Sequence, residues 1–443
     1  MSAAMALQPA AIARAAFDQA GLARPLSTLA ALGDSMTFQN SDGSPWWKRP
    51  YGYLSWAEIL SGGRLISPAE FNFGVSGERS DQMLARVGRV VAARPDICVV
   101  FGGVNDLPTL TAAQTIRNLE RIYDRLRDAG IFVVAVPPIP AGVLAGQTLT
   151  DAQQAHLAQV RHHIRARSVG SGFAVADAGP LLLDHASSKG LPIGGAPAGS
   201  SIPTAMTYDG LHPSIRGAFW IGKTIAGVLE NRLYGRPPLL DGAHDQFDAL
   251  TNPTGSKLGP ALALGTPGGT VSGGASGTAP AGWVLQRQSA GGSLTGAFET
   301  QALANGMSRP AYSITASGSQ ASGEARGRLY RQIYSSYAPG EKVEGLVEVE
   351  VSGIGPSSLT ELQLQVADTT GQLARVLGTQ AGVPTGTKFC YPDQTWSGVL
   401  RTSPIVLGNT AALDFVVNLG VAGIDGASAS VRLTGAKLAR CIS

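Results

Sequence analysis

The sequence predicts two folded regions of different class, a parallel α/β sheet domain followed by an all-β sandwich. Three observations predict it. Residues 28–235 alternate short apolar runs with amphipathic stretches, the pattern of strands covered by helices. Beyond about residue 240 the apolar repeat shortens to two, as in strands with one buried and one wet face. The length, 443 residues, is too great for one compact core and suggests about two domains. The expected division is a helical extension over 1–27, an α/β domain over 28–240 and a β domain over 241–443.

The extension, Met1 to Pro25, is rich in alanine and interrupted by Arg14, Asp18 and Arg24. It lacks the basic start and unbroken apolar stretch of a secretory signal and reads as an amphipathic helix. The location this leaves is cytoplasmic by default, or extracellular or virion-associated by another route. The expected strands of the first domain are Thr28–Leu32, Phe71–Val75, Ile97–Phe101, Ile131–Val136 and Phe173–Ala176. Between them, Asp81–Ala93 and Ala112–Arg127 carry apolar residues at helical spacing, and Gly130 is placed to stop the second helix. A last helix, about Ser214–Leu233, is opened by Pro213. Residues 252–282 are rich in Gly, Pro, Thr and Ser, and after them Leu346–Val351, Leu362–Val366, Leu413–Val417 and Val431–Leu433 read as strands.

Composition narrows the function. Hydrophobic residues make up 44% of the chain, which supports packed globular structure. Charged residues are only 15%, and the net charge of +3 is spread along the chain without a basic block, so nucleic acid is not an expected partner. The longest apolar run, Ile131 to Val136, is too short to span a bilayer. Three cysteines do not make a disulfide scaffold. Cys98 lies in an apolar run and reads as a buried small hydrophobe, while pairing of Cys390 with Cys441 stays open.

Four short motifs carry chemistry. Gly33-Asp34-Ser35-Met36 directly follows the first strand, so Ser35 sits at the carboxyl end of the sheet, where ligands of open α/β sheets bind. A serine hydroxyl needs a base, and His212 in Asp209-Gly210-Leu211-His212-Pro213 supplies one, with Asp209 close enough in the loop to orient the imidazole. Gly103-Val104-Asn105-Asp106 follows the strand Ile97–Phe101 and opens on the same rim. Asn72-Phe73-Gly74-Val75-Ser76-Gly77 falls between the first and third motifs. Taken singly, each has a bland reading: a strand-to-loop turn, a surface Asp/His pair, a capping asparagine, a turn glycine.

In this order and spacing the motifs resemble the SGNH (GDSL-type) family of serine esterases and lipases, over roughly residues 25–235. The resemblance implies a three-layer flavodoxin-like hydrolase domain with the triad Ser35, His212 and Asp209. It also implies an oxyanion hole made by the Ser35 and Gly77 backbone N–H groups and the Asn105 amide. Asn72 and Asp106 match the family pattern and are expected to brace loops. Met36 stands where the motif often has leucine and should affect packing behind the nucleophile. The sandwich resembles, more loosely, jelly-roll carbohydrate-binding modules, through Asn252-Pro253 and Ala281-Gly282-Trp283.

Two long insertions, Gln39–Tyr53 and Ser187–Thr207, are expected to rise around the catalytic end of the sheet. The first contains Trp46 and Trp47, candidates for stacking on a sugar ring, although adjacent side chains point apart and at least one should pack inward. His156, His162 and His163 are expected to be solvated on a helix, and His185 and His244 have no spaced ligand partners. No His/Cys/Asp cluster has metal-site spacing, so neither a metal nor another cofactor is expected. The leading expectation is an esterase removing acyl groups, acetyl above all, from a carbohydrate. The alternatives are an esterase for lipid or small soluble esters, and a structural or adhesive tail-like protein carrying an esterase fold. All four motifs lie upstream of the composition break, so a chain ending near Leu240 is expected to fold and cleave a small ester unaided.

Overall fold

The structure is a computed structural model. It describes residues 27–43, 46–167, 172–194, 205–233, 246–248, 250–252, 255–258, 266–303, 306–334, 338–355, 357–378, 390–408 and 412–441. The expected helix at Met1–Pro25, His244 and much of the second insertion lie outside these residues.

The first region contains strands β1 (Leu29–Gly33), β2 (Ser41–Gly43), β3 (Trp46–Lys48), β4 (Asn72–Gly74), β5 (Ile97–Phe101) and β6 (Phe132–Val136), a small β7–β8 hairpin (Val143–Leu144, Gln147–Thr148) and β9 (Phe173–Val175). Five of them form a parallel sheet in the order β4-β1-β5-β6-β9. Every residue of β1, β5 and β6 is buried, as a parallel sheet covered on both faces requires.

The helices are α1 (Ser35–Phe38), α2 (Tyr53–Leu60), α3 (Ser80–Ala93), α4 (Ala112–Asp128), α5 (Asp151–Ala166), α6 (Gly179–Leu182) and α7 (Ile215–Leu229). On one sheet face Met83 and Val87 of α3, Leu119 and Ile122 of α4, and Val160 and Ile164 of α5 share a core with Ala30, Leu32 and Val133. On the other, Tyr53 and Leu54 of α2 and Ile221 and Ile225 of α7 pack with Leu29, Val99 and Val134. Three layers result. Thr111 caps α4 by accepting from the Gln114 N–H, and Gly130 ends that helix in the left-handed region at φ 73°, as its place in the sequence predicts.

The second region holds β10 (Thr270–Ser272), β11 (Ser276–Gly277), β12 (Val284–Arg287), β13 (Ser293–Ala302), β14 (Ser308–Gly318), β15 (Ala325–Tyr334) and β16 (Lys342–Ser352). It continues with β17 (Leu359–Asp368), β18 (Leu373–Leu377), β19 (Trp396–Arg401), β20 (Ile405–Val406), β21 (Ala412–Val421) and β22 (Ala427–Arg440). These make two largely antiparallel sheets, ordered β11-β13-β14-β22-β16-β19 and β10-β12-β15-β21-β17-β18-β3-β2, which pack as a sandwich. Burial alternates along much of β15 and β22, matching the period-two sequence pattern.

The second sheet ends in strands from the first region. The β2–β3 hairpin, which follows the Ser35 segment, joins it by parallel pairing of Trp47 with Arg375 and Lys48 with Val376. The insertion is therefore part of the sandwich and not a free loop over the catalytic rim. The cores are continuous as well. Trp56 and Ile59 of α2 and Phe219 of α7 belong to the same buried cluster as Tyr391, Trp396 and Phe415. Trp56 packs edge-to-face on Phe219, Tyr391 and Trp396, with ring centroids 5.2, 5.9 and 5.1 Å apart. Gly398 in β19 lets α2 approach this closely, since a Cβ there would lie 2.3 Å from the Ile59 carbonyl oxygen. Arg216, at the start of α7, forms an ion pair with Asp393 across the same seam. Cys98, Cys390 and Cys441 are all free thiols.

Candidate active site

Ser35 opens α1 at the carboxyl end of β1. Asp34 caps this short helix, its Oδ1 accepting the Met36 N–H at 3.0 Å. Met36 is buried in the α2/α7 core behind the serine, where the sequence placed its influence. His212 comes from the loop before α7. That loop is held by the Tyr208 N–H donating to the His212 carbonyl at 3.0 Å and the Gly142 N–H donating to the Gly210 carbonyl at 2.8 Å. Ser214 then caps α7 through the Gly217 N–H, while its own hydroxyl donates to the Ala205 carbonyl.

Three side chains meet in a line. The Ser35 hydroxyl lies 2.8 Å from His212 Nε2, and His212 Nδ1 lies 2.6 Å from Asp209 Oδ2. The second Asp209 oxygen accepts the backbone N–H groups of Leu211 and His212, at 3.0 and 2.7 Å. Burial pushes the Asp209 carboxyl up, but the hydrogen bonds and charge of His212 outweigh it and hold the group below the usual carboxylate range. A carboxylate only accepts, so Nδ1 carries the proton and Nε2 is left to accept from Ser35.

The facing side of the site is built from two loops. The Val75 N–H donates to the Gly33 carbonyl at 3.0 Å, which prolongs the β1–β4 pairing and lays the Gly77 segment beside the serine. Gly77 is exposed and sits at φ 79°, a conformation that suits glycine. The Asn105 amide donates to the Glu78 carbonyl at 3.1 Å, which brings it next to Gly77. Asp106 accepts from the Ser80 N–H at 2.8 Å and from the Ser80 hydroxyl. Asn72 donates to the Ser41 hydroxyl at 2.9 Å and accepts the Gly74 N–H at 3.1 Å. Both brace loops, as their positions in the motifs suggest.

Several residues here carry no motif. Tyr208 stacks on the His212 ring, centroids 5.6 Å apart and planes 14° from parallel, and its hydroxyl accepts from Gln39 Nε2 at 2.8 Å. Phe38 and Val75, on the adjoining α1 and β4 segments, are exposed at 52% and 41%. Both are large apolar side chains left exposed, which alternation patterns do not single out. The expectation for Trp47 is corrected: it is only 6% exposed, its indole N–H donates to the Leu377 carbonyl at 2.6 Å, and Arg375 covers its ring. Its faces are used in the seam and not offered to a sugar. The side chain of Trp46 lies outside the described residues. His156 is also corrected, because it is buried against α4, with Nε2 3.1 Å from the Thr115 hydroxyl. His162 is exposed, His163 pairs with Glu120, and His185 meets the Pro180 carbonyl.

Beneath the serine, Asp34 is fully buried and its Oδ2 has no hydrogen-bond partner among the described residues. Burial pushes its carboxyl up to about 7. No group of three or more His, Cys, Asp or Glu side chains among the described residues could hold a metal ion, and no described helix is long and apolar enough to cross a membrane.

Residues 31–218 match the model of the GDSL-like Lipase/Acylhydrolase family. The chain is similar to a GDSL-like lipase from Bacteroides thetaiotaomicron, with 17% identity over 49% of this chain and 95% of that one and a TM-score of 0.33. It is also similar to a carbohydrate esterase family 3 protein from Talaromyces cellulolyticus, with 18% identity over 46% and 97% of the two chains and a TM-score of 0.32. No functionally curated protein matches it. Residues 31–218 thus form a GDSL-like lipase/acylhydrolase domain, and ester hydrolysis is the activity that this domain supports.

Proposed function

We propose that the chain hydrolyses acyl esters by covalent catalysis at Ser35 and that its substrate is an acetylated carbohydrate. The observation that supports the mechanism is the unbroken line from the Ser35 hydroxyl through His212 to Asp209, with links of 2.8 and 2.6 Å. Ser35 Oγ attacks the ester carbonyl carbon as its proton passes to Nε2 of His212. The carbonyl oxygen becomes an oxyanion and is met by the Ser35 and Gly77 N–H groups and the Asn105 amide. Collapse breaks the ester C–O bond, the alcohol leaves with the proton from Nε2, and the acyl group stays on Oγ. Water repeats the sequence and releases the acid, while Asp209 stabilises the imidazolium formed in each half.

The carbohydrate part of the reading rests on the sandwich. A polymer held there is fixed relative to Ser35, because the two regions share a core and a sheet. A second reading, hydrolysis of lipid or other long-chain esters, is favoured by the exposed apolar pair Phe38 and Val75 beside the serine. The deciding experiment compares acetate release from acetylated polysaccharide with cleavage of long-chain esters. Faster turnover of the polysaccharide supports the first reading, and the reverse preference supports the second. A protein that cleaves neither these nor a chromogenic acetyl ester has a structural or adhesive role instead.

A further inference from the structure

The oxyanion donors come from three separate segments, the ends of β1, β4 and β5, and two of them are poorly supported by their own surroundings. Gly77 is exposed, and the space where its side chain would be is open to 4 Å. Asn105 is a single side chain on the rim, and its amide needs an outside partner to fix which way it turns. One residue touches both. Glu78 follows Gly77, and its carbonyl accepts the Asn105 amide at 3.1 Å. A carbonyl accepts only from the NH₂ end, so this bond fixes the rotation of the amide and leaves its second N–H to point elsewhere.

Glu78 is fixed in turn by Arg86 of α3. Arg86 Nε lies 2.8 and 2.6 Å from the two Glu78 carboxylate oxygens, and Nη2 lies 2.5 Å from Oε2. The same Nη2 donates to the Gly33 carbonyl at 3.1 Å, on the strand that ends at Ser35. The two side chains are only 12% and 14% exposed, so water competes weakly for their bonds. The helix carrying Arg86 is pinned at its start by Asp106, from the Asn105 segment. Each donor segment is thereby tied to one guanidinium–carboxylate pair.

We propose that Arg86 and Glu78 are a positioning pair for the oxyanion hole: they hold the Asn105 amide at fixed distance from the Ser35 strand and touch no substrate themselves. This rests on the oxyanion role proposed for Asn105 and Gly77. Misplacement by about 1 Å can cost on the order of 10²-fold in rate, so a rigid planar fork suits the task better than a mobile ammonium.

The test measures kcat and KM on a small acetyl ester for full-length Arg86→Lys, Glu78→Gln, Asn105→Ala and the double variant Arg86→Lys/Asn105→Ala, with the folded fraction of each taken from denaturant unfolding. Asn105→Ala is expected to lower kcat by roughly 10²-fold. Arg86→Lys and Glu78→Gln should each lower kcat about tenfold with KM within about twofold, and the double variant should lie within about threefold of Asn105→Ala, because the pair acts through that amide. A merely structural role would lower the folded fraction and multiply the two losses, and either result overturns the proposal. Glu78→Gln keeps the volume and the backbone carbonyl, so it decides the matter if Arg86→Lys does not fold. Unchanged kcat in Asn105→Ala would overturn the oxyanion reading and the positioning pair with it. A loss in Asn105→Ala alone would overturn only the positioning pair.

Discussion

The hydrolase sheet and the sandwich differ in how far each covers itself. The parallel sheet is closed on both faces by its own helices, and β1, β5 and β6 are buried along their whole length. Its outer helices are another matter. The far sides of α2 and α7 present Trp56, Ile59 and Phe219, and these share one buried cluster with Tyr391, Trp396 and their neighbours in the sandwich. The sandwich in turn completes one sheet with β2 and β3 from the first region. A complete catalytic motif set is therefore not the same thing as an autonomous catalytic domain.

The most severe way to break this comparison is to end the chain near Leu240. The composition break leads to the expectation that a chain ending there folds and is active, whereas the shared core predicts the opposite outcome. Stripping the sandwich exposes the apolar outer side of α2 and α7 and leaves β3 without its partner strand. The truncated protein should be insoluble or loosely packed and should not cleave a chromogenic acetyl ester. A soluble, active fragment with a sharp unfolding transition would show the regions to be separable.

Next in size, Ser35→Ala should remove about 10³-fold or more of kcat while leaving the denaturation midpoint unchanged. His212→Ala should do similar damage and the double variant little more, because the two act as a unit. Activity of Ser35→Ala within tenfold of the parent would refute the mechanism.

Trp56→Ala tests the seam without touching the rim. It removes a fully buried ring with three aromatic neighbours, and should cost about 3–5 kcal/mol of stability by denaturant titration. The kcat of the protein that stays folded should change only a few-fold. A stability loss below about 1 kcal/mol would mean that the seam is not a true core.

A pH-dependent effect is expected at Asp34. Its carboxyl is pushed up to about 7 in the folded chain, against an ordinary value of 3.8. Between these values the native state keeps a proton that the unfolded state has released. The contribution of this group therefore falls as pH rises from about 4 to about 7 and is level above that. Asp34→Asn never ionises, so its stability relative to the parent should improve across that window. A difference that stays constant with pH would show that burial of Asp34 carries no such penalty.

What could be read from the sequence follows the range of the interactions involved. Strands such as Ile97–Phe101 and Phe132–Val136, and the capped helix Ala112–Asp128, are set by nearby residues and stand where periodicity puts them. The Ser35, Asp209 and His212 segments were also legible, since each is a short motif whose place at a strand or helix end follows from its neighbours. The burial of Trp47 is not legible locally, because its partners, Leu377 and Arg375, lie hundreds of residues away and no local pattern announces them. The burial of His156 is hidden for a similar reason, since it depends on how α5 leans on α4. Tyr208 and the Arg86–Glu78 pair carry no motif of their own, and only the folded rim brings them to the site.

The hairpin that follows Ser35 also sets a timetable. Trp47 meets Leu377 across 330 residues of chain. At ribosomal rates of about 5–20 residues per second, that gap corresponds to an interval on the order of tens of seconds. During that interval the Ser35 segment has emerged while the partner strand of its hairpin does not yet exist, and Trp56 and Phe219 have each other but not Tyr391 and Trp396 to pack against. The newborn hydrolase region must wait, apolar surface uncovered, until the sandwich arrives to close it. Any ester-cleaving competence would then appear late and at once, and chaperone demand would peak in the middle of synthesis.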